Sequence, residues 1–273
     1  MSILVFGARG QVGSELLAQS PDAIGVDRTA LDFAAPDATA IERLLEAYHP
    51  DYLINAAAYN AVDRAEEEPE LTHRINAVTP ALLAAIAQRR GIPFIHFSSD
   101  YVFDGAEAPY TETAATNPLG VYARSKLAGE QAALDAGAKV FRLQWVYGAT
   151  GSNFYLTMRK LLAERSTLTV VADQIGAPTH AGHIAQAVLQ SLRLPAGLYH
   201  MAAAGHTSWH GFACAIAQAT QSNCAIAPIT LAEYPASAVR PKDTRLDITK
   251  LATHGITLPH WREGLKDLLH ATA

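Results

Sequence analysis

The chain has 273 residues, 49% of them hydrophobic and 17% charged, with a formal net charge of −5. This is ample for a packed core in one large or two small domains, and it excludes a disordered chain, a general nucleic-acid binder and a polybasic membrane patch. No apolar run approaches the ~20 residues of a membrane span, and the N-terminus enters a strand at once, so no signal peptide is expected. Cys214 and Cys224 are the two cysteines. They make no disulfide framework and read as free thiols of a cytoplasmic protein, with a single bridge left open.

Ile3-Leu-Val-Phe6 is a short apolar run of the kind found in a buried parallel strand. It leads into Gly7-Ala-Arg-Gly10-Gln-Val-Gly13 and then a helical stretch from Ser14. Glycines in a strand-to-helix turn let a pyrophosphate approach backbone N–H groups at the positive end of a helix. A second apolar run, Ala23–Val26, ends at Asp27, placed to hydrogen-bond an adenosine ribose hydroxyl. Arg28 follows and could instead receive a 2′-phosphate, so NADH and NADPH both stay open. Asp32-Phe33 is either a loop against the adenine or a surface turn.

A helix is expected over 37–48, then a strand over 51–55 running into Ala56-Ala-Ala-Tyr-Asn60, whose small residues suit a cofactor lying against backbone. Glu66-Glu-Glu68 reads as a solvated helix start. One helix is expected over 70–90, with apolar residues at Leu71, Ile75, Val78, Leu82 and Ile86, kinked at Pro80 and ended by Gly91. The next strand, 93–97, ends in Ser98-Ser99-Asp100, where a hydroxyl could bond a substrate carbonyl. A loop rich in Gly, Pro, Thr and Asn spans 104–120.

Tyr122-Ala-Arg-Ser-Lys126 follows at the start of a helix. Spacing of i, i+4 puts the phenol and the ammonium one turn apart on one face. A nearby cation is expected to lower the phenol pKa from its usual ~10 toward the range of an acid–base catalyst. Further strands are expected at 139–142, 168–171 and 197–200, with helices over 153–164, 182–192 and 208–218. Alternating strands and helices make an α/β fold, a Rossmann-type doubly wound parallel sheet. Residues 1–150 read as the dinucleotide-binding part and 151–273 as a smaller, mainly substrate-binding α/β part. In the tail, Arg240 and Arg245 could grip a diphosphate. The histidines form no H-E-x-x-H motif, so no metal ligands are assigned.

In order, Gly7/Gly10/Gly13, Asn55-Ala-Ala-Ala, Ser99 and Tyr122/Lys126 resemble the extended short-chain dehydrogenase/reductase superfamily. Finer motifs resemble one branch, the dTDP-4-dehydrorhamnose reductases: Ser99-Asp-Tyr-Val-Phe-Asp-Gly105, Pro118 to Glu130, Arg142-Leu-Gln-Trp-Val-Tyr-Gly148, Asp173-Gln-Ile-Gly-Ala-Pro-Thr179 and Arg240-Pro. The resemblance implies reduction of the C4 ketone of a dTDP-linked 4-keto-6-deoxy sugar by NADPH or NADH. It implies Tyr122 as proton donor, Lys126 on the nicotinamide ribose and Ser99 on the carbonyl, with Asp100 and Trp145 on the substrate. Gly10, Gln11, Val12, Asp27, Asp32, Phe33, Ala58, Tyr59, Asn60 and Phe97 match cofactor-contact positions. Asn60, Phe97 and Leu143-Gln144 depart from the branch pattern, which bears on polar contacts rather than on the Tyr/Lys pair. The resemblance also implies a monomer or homodimer, with Mg2+ in some members. Rival readings are a talose-forming reductase, a related epimerase or dehydratase, and a non-catalytic regulatory subunit of the methionine adenosyltransferase beta type.

Overall fold

The computed structural model describes residues 1–271. The chain runs β1 (Ile3–Phe6), α1 (Gln11–Gln19), β2 (Ala23–Val26), α2 (Ala38–Tyr48), β3 (Tyr52–Asn55), α3 (Val62–Glu67), α4 (Pro69–His73), α5 (Thr79–Arg90), β4 (Phe94–Ser99), α6 (Val121–Asp135) and β5 (Lys139–Leu143). There follow β6 (Val146–Tyr147), α7 (Phe154–Glu164), β7 (Thr167–Val171), β8 (Ile175–Gly176), β9 (Thr179–His180), α8 (Ala181–Gln190), β10 (Gly197–Met201), β11 (Thr207–Ser208), α9 (Trp209–Ala219), β12 (Ala225–Ile229), α10 (Thr249–Ala252) and α11 (Trp261–Ala271).

Six parallel strands form the central sheet in the order β10-β5-β4-β3-β1-β2. β1, β4 and β5 are buried at every position because helices cover both faces. One apolar layer joins β1 and β5 to α1 and α8, and the other joins the sheet to α2, α5 and α6. A third cluster gathers α7, α9 and α11 around Tyr147, Phe212 and Trp261. β2 and β3 lie on opposite sides of β1, so the strand order reverses there, at the crevice where open sheets take ligands. Gly7 and Asn55 end the two strands that flank this point.

Two differences from the sequence expectation have physical causes. The helix expected over 70–90 is divided by a π-helical turn, Arg74–Val78, and Pro80 sits in the first turn of α5. Proline lacks an N–H and crowds the carbonyl four residues back, here Asn76, and the wider turn absorbs both effects. β12, not anticipated, adds in parallel to β7, where Pro228 is tolerated in a two-stranded ribbon. Cys214 and Cys224 are both free, as the sequence reading expected. Beneath α6, Glu130 and Arg142 form a buried ion pair, and the guanidinium lies over the Phe103 ring. No helix among the described residues is long and apolar enough to cross a membrane.

Candidate active site

At the first strand end, Gly7 adopts φ +82°. A Cβ there would stand 2.4 Å from the Ala57 amide nitrogen, and one on Gly13 would stand 2.2 Å from the Gly7 carbonyl oxygen. The turn is therefore closed by backbone against backbone, a geometry open only to glycine. Gly10 caps α1 without a side-chain hydrogen bond, and the first turn carries no acidic residue. The amides of Gln11, Val12 and Gly13 thus form an uncompensated positive helix end, which fits a dinucleotide diphosphate. The Gln11 side chain turns away and accepts from Asn153 Nδ2, the cap of α7.

Asp27 holds the end of β2. Its carboxylate accepts from the backbone and hydroxyl of Thr29 and pairs with Arg9 at 2.5 Å, which keep its pKa below the usual value. Arg28 is exposed beside it. Asp32 is exposed, whereas Phe33 is buried edge-on against Phe6. Ala58 and Tyr59 are half-buried after β3, and Asn60 is exposed. The Phe97 ring is core, packed on Phe141, and only its carbonyl faces the site.

Tyr122 lies in the first turn of α6 and Ser99 at the end of β4. The Tyr101 ring packs edge-on to the Tyr122 ring at 6.0 Å. Lys126, one turn after Tyr122, is buried and donates to Phe97 O at 2.7 Å. Burial drops its pKa to about 8, against the pull of Glu130. The expectation that the ammonium lowers the phenol pKa is not met. Burial pushes Tyr122 well above its ordinary value; a hydrogen bond with Ser99 opposes this, and the Asp100 carboxylate adds to it. The phenol is thereby kept protonated at neutral pH, the form a proton donor needs.

Asp100, beside Ser99, is buried, and its pKa is raised to about 6 by that burial against hydrogen bonds from Thr244, Gln144 and Ser99. Trp145 takes a left-handed φ of +44°. Its ring is stacked at 3.6 Å on Trp209, and its edge faces Gly176, where a Cβ would come within 2.5 Å of the indole. In the tail, both guanidinium groups already have partners. Arg240 forks onto Asp63 and Arg245 onto Asp243, and Lys242 pairs with Asp173. Asp63 also accepts from Ser237 Oγ and Ala238 N, so one carboxylate at the start of α3 fixes the tail segment 237–240.

Several residues that act here escaped the sequence reading. Glu66, expected in solvent, accepts from the Val121 amide at 2.8 Å and so caps the helix that carries Tyr122, because Gly120 has no side chain to do it. Asn76, in the π-turn, bonds both the N–H and the carbonyl of Tyr59 and donates to Ser125 Oγ, joining the β3 loop to α6. An asparagine inside an apolar helical stripe, four residues before a proline, was the available signal. Among the described residues, no three His, Cys, Asp or Glu side chains gather as a metal site.

The doubly wound sheet and the uncapped α1 turn make a Rossmann-type dinucleotide-binding fold, with Ser99, Tyr122 and Lys126 together beside its strand ends. A family model described as the RmlD substrate binding domain matches residues 1–273. The dTDP-4-dehydrorhamnose reductase of Burkholderia thailandensis is 41% identical, over 96% of this chain and 96% of its own. That of Salmonella typhimurium is 39% identical, over 98% and 97%. The solved dTDP-4-dehydrorhamnose reductase of Bacillus anthracis, in complex with NADP, superposes with a TM-score of 0.95 at 32% identity and 99% coverage of each chain. This chain belongs to the dTDP-4-dehydrorhamnose reductase family.

Proposed function

We propose that the chain reduces the C4 ketone of dTDP-4-dehydro-6-deoxy-L-mannose to give dTDP-L-rhamnose. The observation that carries this reading is a half-buried phenol at Tyr122 in the first turn of α6, one helical turn from the buried Lys126 and near Ser99 at the end of β4. NADPH or NADH, when bound, supplies the hydride that C4 receives.

The chain's own residues do the rest. Gln11, Val12 and Gly13 present amides to the diphosphate, with Gly7 and Gly10 giving it access to backbone. Asp27 accepts from the adenosine ribose, and Asp32, Phe33, Ala58, Tyr59, Asn60 and Phe97 line the rest of the cofactor path. Lys126 has three donors, of which Phe97 O takes one, so two remain for the nicotinamide ribose. Tyr122 gives its proton to the C4 oxygen as charge develops there, and the Ser99 hydroxyl shares in stabilising that oxygen. Asp100 and Trp145 bound the sugar. Arg240 and Arg245 each carry five N–H donors and use only part of them on Asp63 and Asp243, which leaves the remainder for the sugar-nucleotide diphosphate.

On this reading residues 1–150 form the dinucleotide-binding part, with chain returning to it through β10, and 151–273 form the mainly substrate-binding part. The enzyme works in the cytoplasm as a monomer or homodimer, on a dTDP-sugar; the net charge of −5 speaks against nucleic acid or an anionic membrane surface as partner. The test is NMR identification of the product from dTDP-4-dehydrorhamnose and NADPH. A rhamno-configured product is expected. A talo-configured product, or no NADPH oxidation, overturns the assignment.

A further inference from the structure

A buried carboxylate is costly unless its oxygens are hydrogen-bonded. Asp100, 2% exposed, has its Oδ2 bonded by Gln144 Nε2 at 2.9 Å and Thr244 Oγ1 at 2.5 Å, while its Oδ1 accepts the Ser99 hydroxyl at 3.1 Å. Gln144, 1% exposed just past β5, uses both ends of its amide. Nε2 also donates to Thr244 O at 2.6 Å, and Oε1 accepts from Ala177 N at 2.8 Å. Turning the amide over would set an oxygen against the carboxylate and an NH2 against an N–H, so one orientation is available. One side chain thus joins the end of β4, the loop after β8 and the tail that carries Arg240 and Arg245.

The arrangement has a directional consequence. With Oδ2 committed to Gln144 and Thr244, Oδ1 is turned to Ser99 and takes its proton. Ser99 Oγ then acts as an acceptor from Tyr101 N at 3.2 Å. The titratable groups that feel the Asp100 charge are Tyr122 on α6 and Tyr101 beside it, and Arg240 reaches Tyr101 from the tail.

We infer that Gln144 is a positioning residue for the ketone reduction: by holding Oδ2 of Asp100 it sets which way the Ser99 hydroxyl points at the end of β4. The inference rests on the reductase reading above. It also gives a role to a residue that departs from the branch pattern, with a side chain long enough to reach Asp100, Thr244 and Ala177 together.

The test follows the Asp100 carboxyl titration by 13C NMR in wild type and Gln144→Leu, alongside sugar turnover and NADPH binding. Loss of the amide donor favours the protonated acid, so the Asp100 midpoint moves up by about one pH unit, the scale of a hydrogen bond to a charged group. kcat falls roughly tenfold per folded enzyme, its acid limb moves up with the carboxyl, and NADPH affinity stays within about twofold. Should Gln144→Leu not fold, Thr244→Val removes the other Oδ2 side-chain donor and shifts the titration the same way, and Thr244→Ser restores it. An unshifted Asp100 titration overturns the inference whether or not the sugar is turned over. A shifted titration in a protein whose wild type leaves the sugar unreduced overturns the reductase reading instead.

Discussion

The glycine turn at residues 7–13 and the tail at 237–245 build their parts of the site by opposite means. The turn is made of backbone and leans on the neighbouring strand end, with Gly7 against Ala57 and Gly13 against Gly7. Its amides stay free for a ligand. The tail works through charged and polar side chains, Arg240, Lys242, Thr244 and Arg245, each already paired within the protein. Arg240 is held by Asp63, 177 positions away, and Thr244 by Asp100, 144 away. A backbone cradle can be rigid and empty-handed at once; long side chains are ordered only by partners that compete with the ligand.

This contrast can be broken or sharpened by substitution. The largest loss of stability is expected beneath the site. Glu130→Ala strands the buried Arg142 charge and should cost about 3–5 kcal/mol in denaturant unfolding; a loss under 1 kcal/mol would mean that His200 or solvent compensates the guanidinium. In the turn, Gly7→Ala adds a Cβ at a positive φ and should cost about 1–3 kcal/mol together with NADPH binding. Isothermal titration with cofactor affinity intact would contradict the backbone account. In the tail, Asp63→Ala releases Arg240 and the 237–240 segment while sparing the turn. KM for the sugar nucleotide should rise about tenfold, the scale of one charged hydrogen bond, with KM for NADPH unchanged; equal changes in both would erase the distinction between the two regions.

A smaller effect comes from pH. Burial holds Lys126 at about 8, so the free enzyme loses its ammonium as pH rises through that value. kcat/KM for NADPH reports groups of the free enzyme and should decline with unit slope above about pH 8. A profile flat to pH 10 would show that the ammonium charge is not used.

The same contrast explains what the sequence disclosed. Strands, the glycine turn and the i, i+4 pair are local patterns, and the order Gly7, Asp27, Ser99 follows strand ends in a doubly wound sheet, with Tyr122 on the next helix. Their structural placement agreed within a residue or two. What stayed hidden depends on tertiary partners. Glu66 reads as a solvated acid until the bare N-terminus of α6 arrives beside it, and Arg240 reads as a free cation until Asp63 does. The phenol pKa failed for a related reason: spacing brings Lys126 close, but burial, which a motif does not reveal, dominates. Gln144 stood out only as a departure from a pattern, and the three segments it joins come together through the fold.

In the proposed ketone reduction the proton comes from Tyr122. The most direct test compares NADPH oxidation with dTDP-4-dehydrorhamnose by wild type and Tyr122→Phe, with NADPH affinity measured on both. The account requires a fall in kcat of roughly 10³-fold or more with affinity within a few-fold. Turnover by the phenylalanine variant within tenfold of wild type would contradict it.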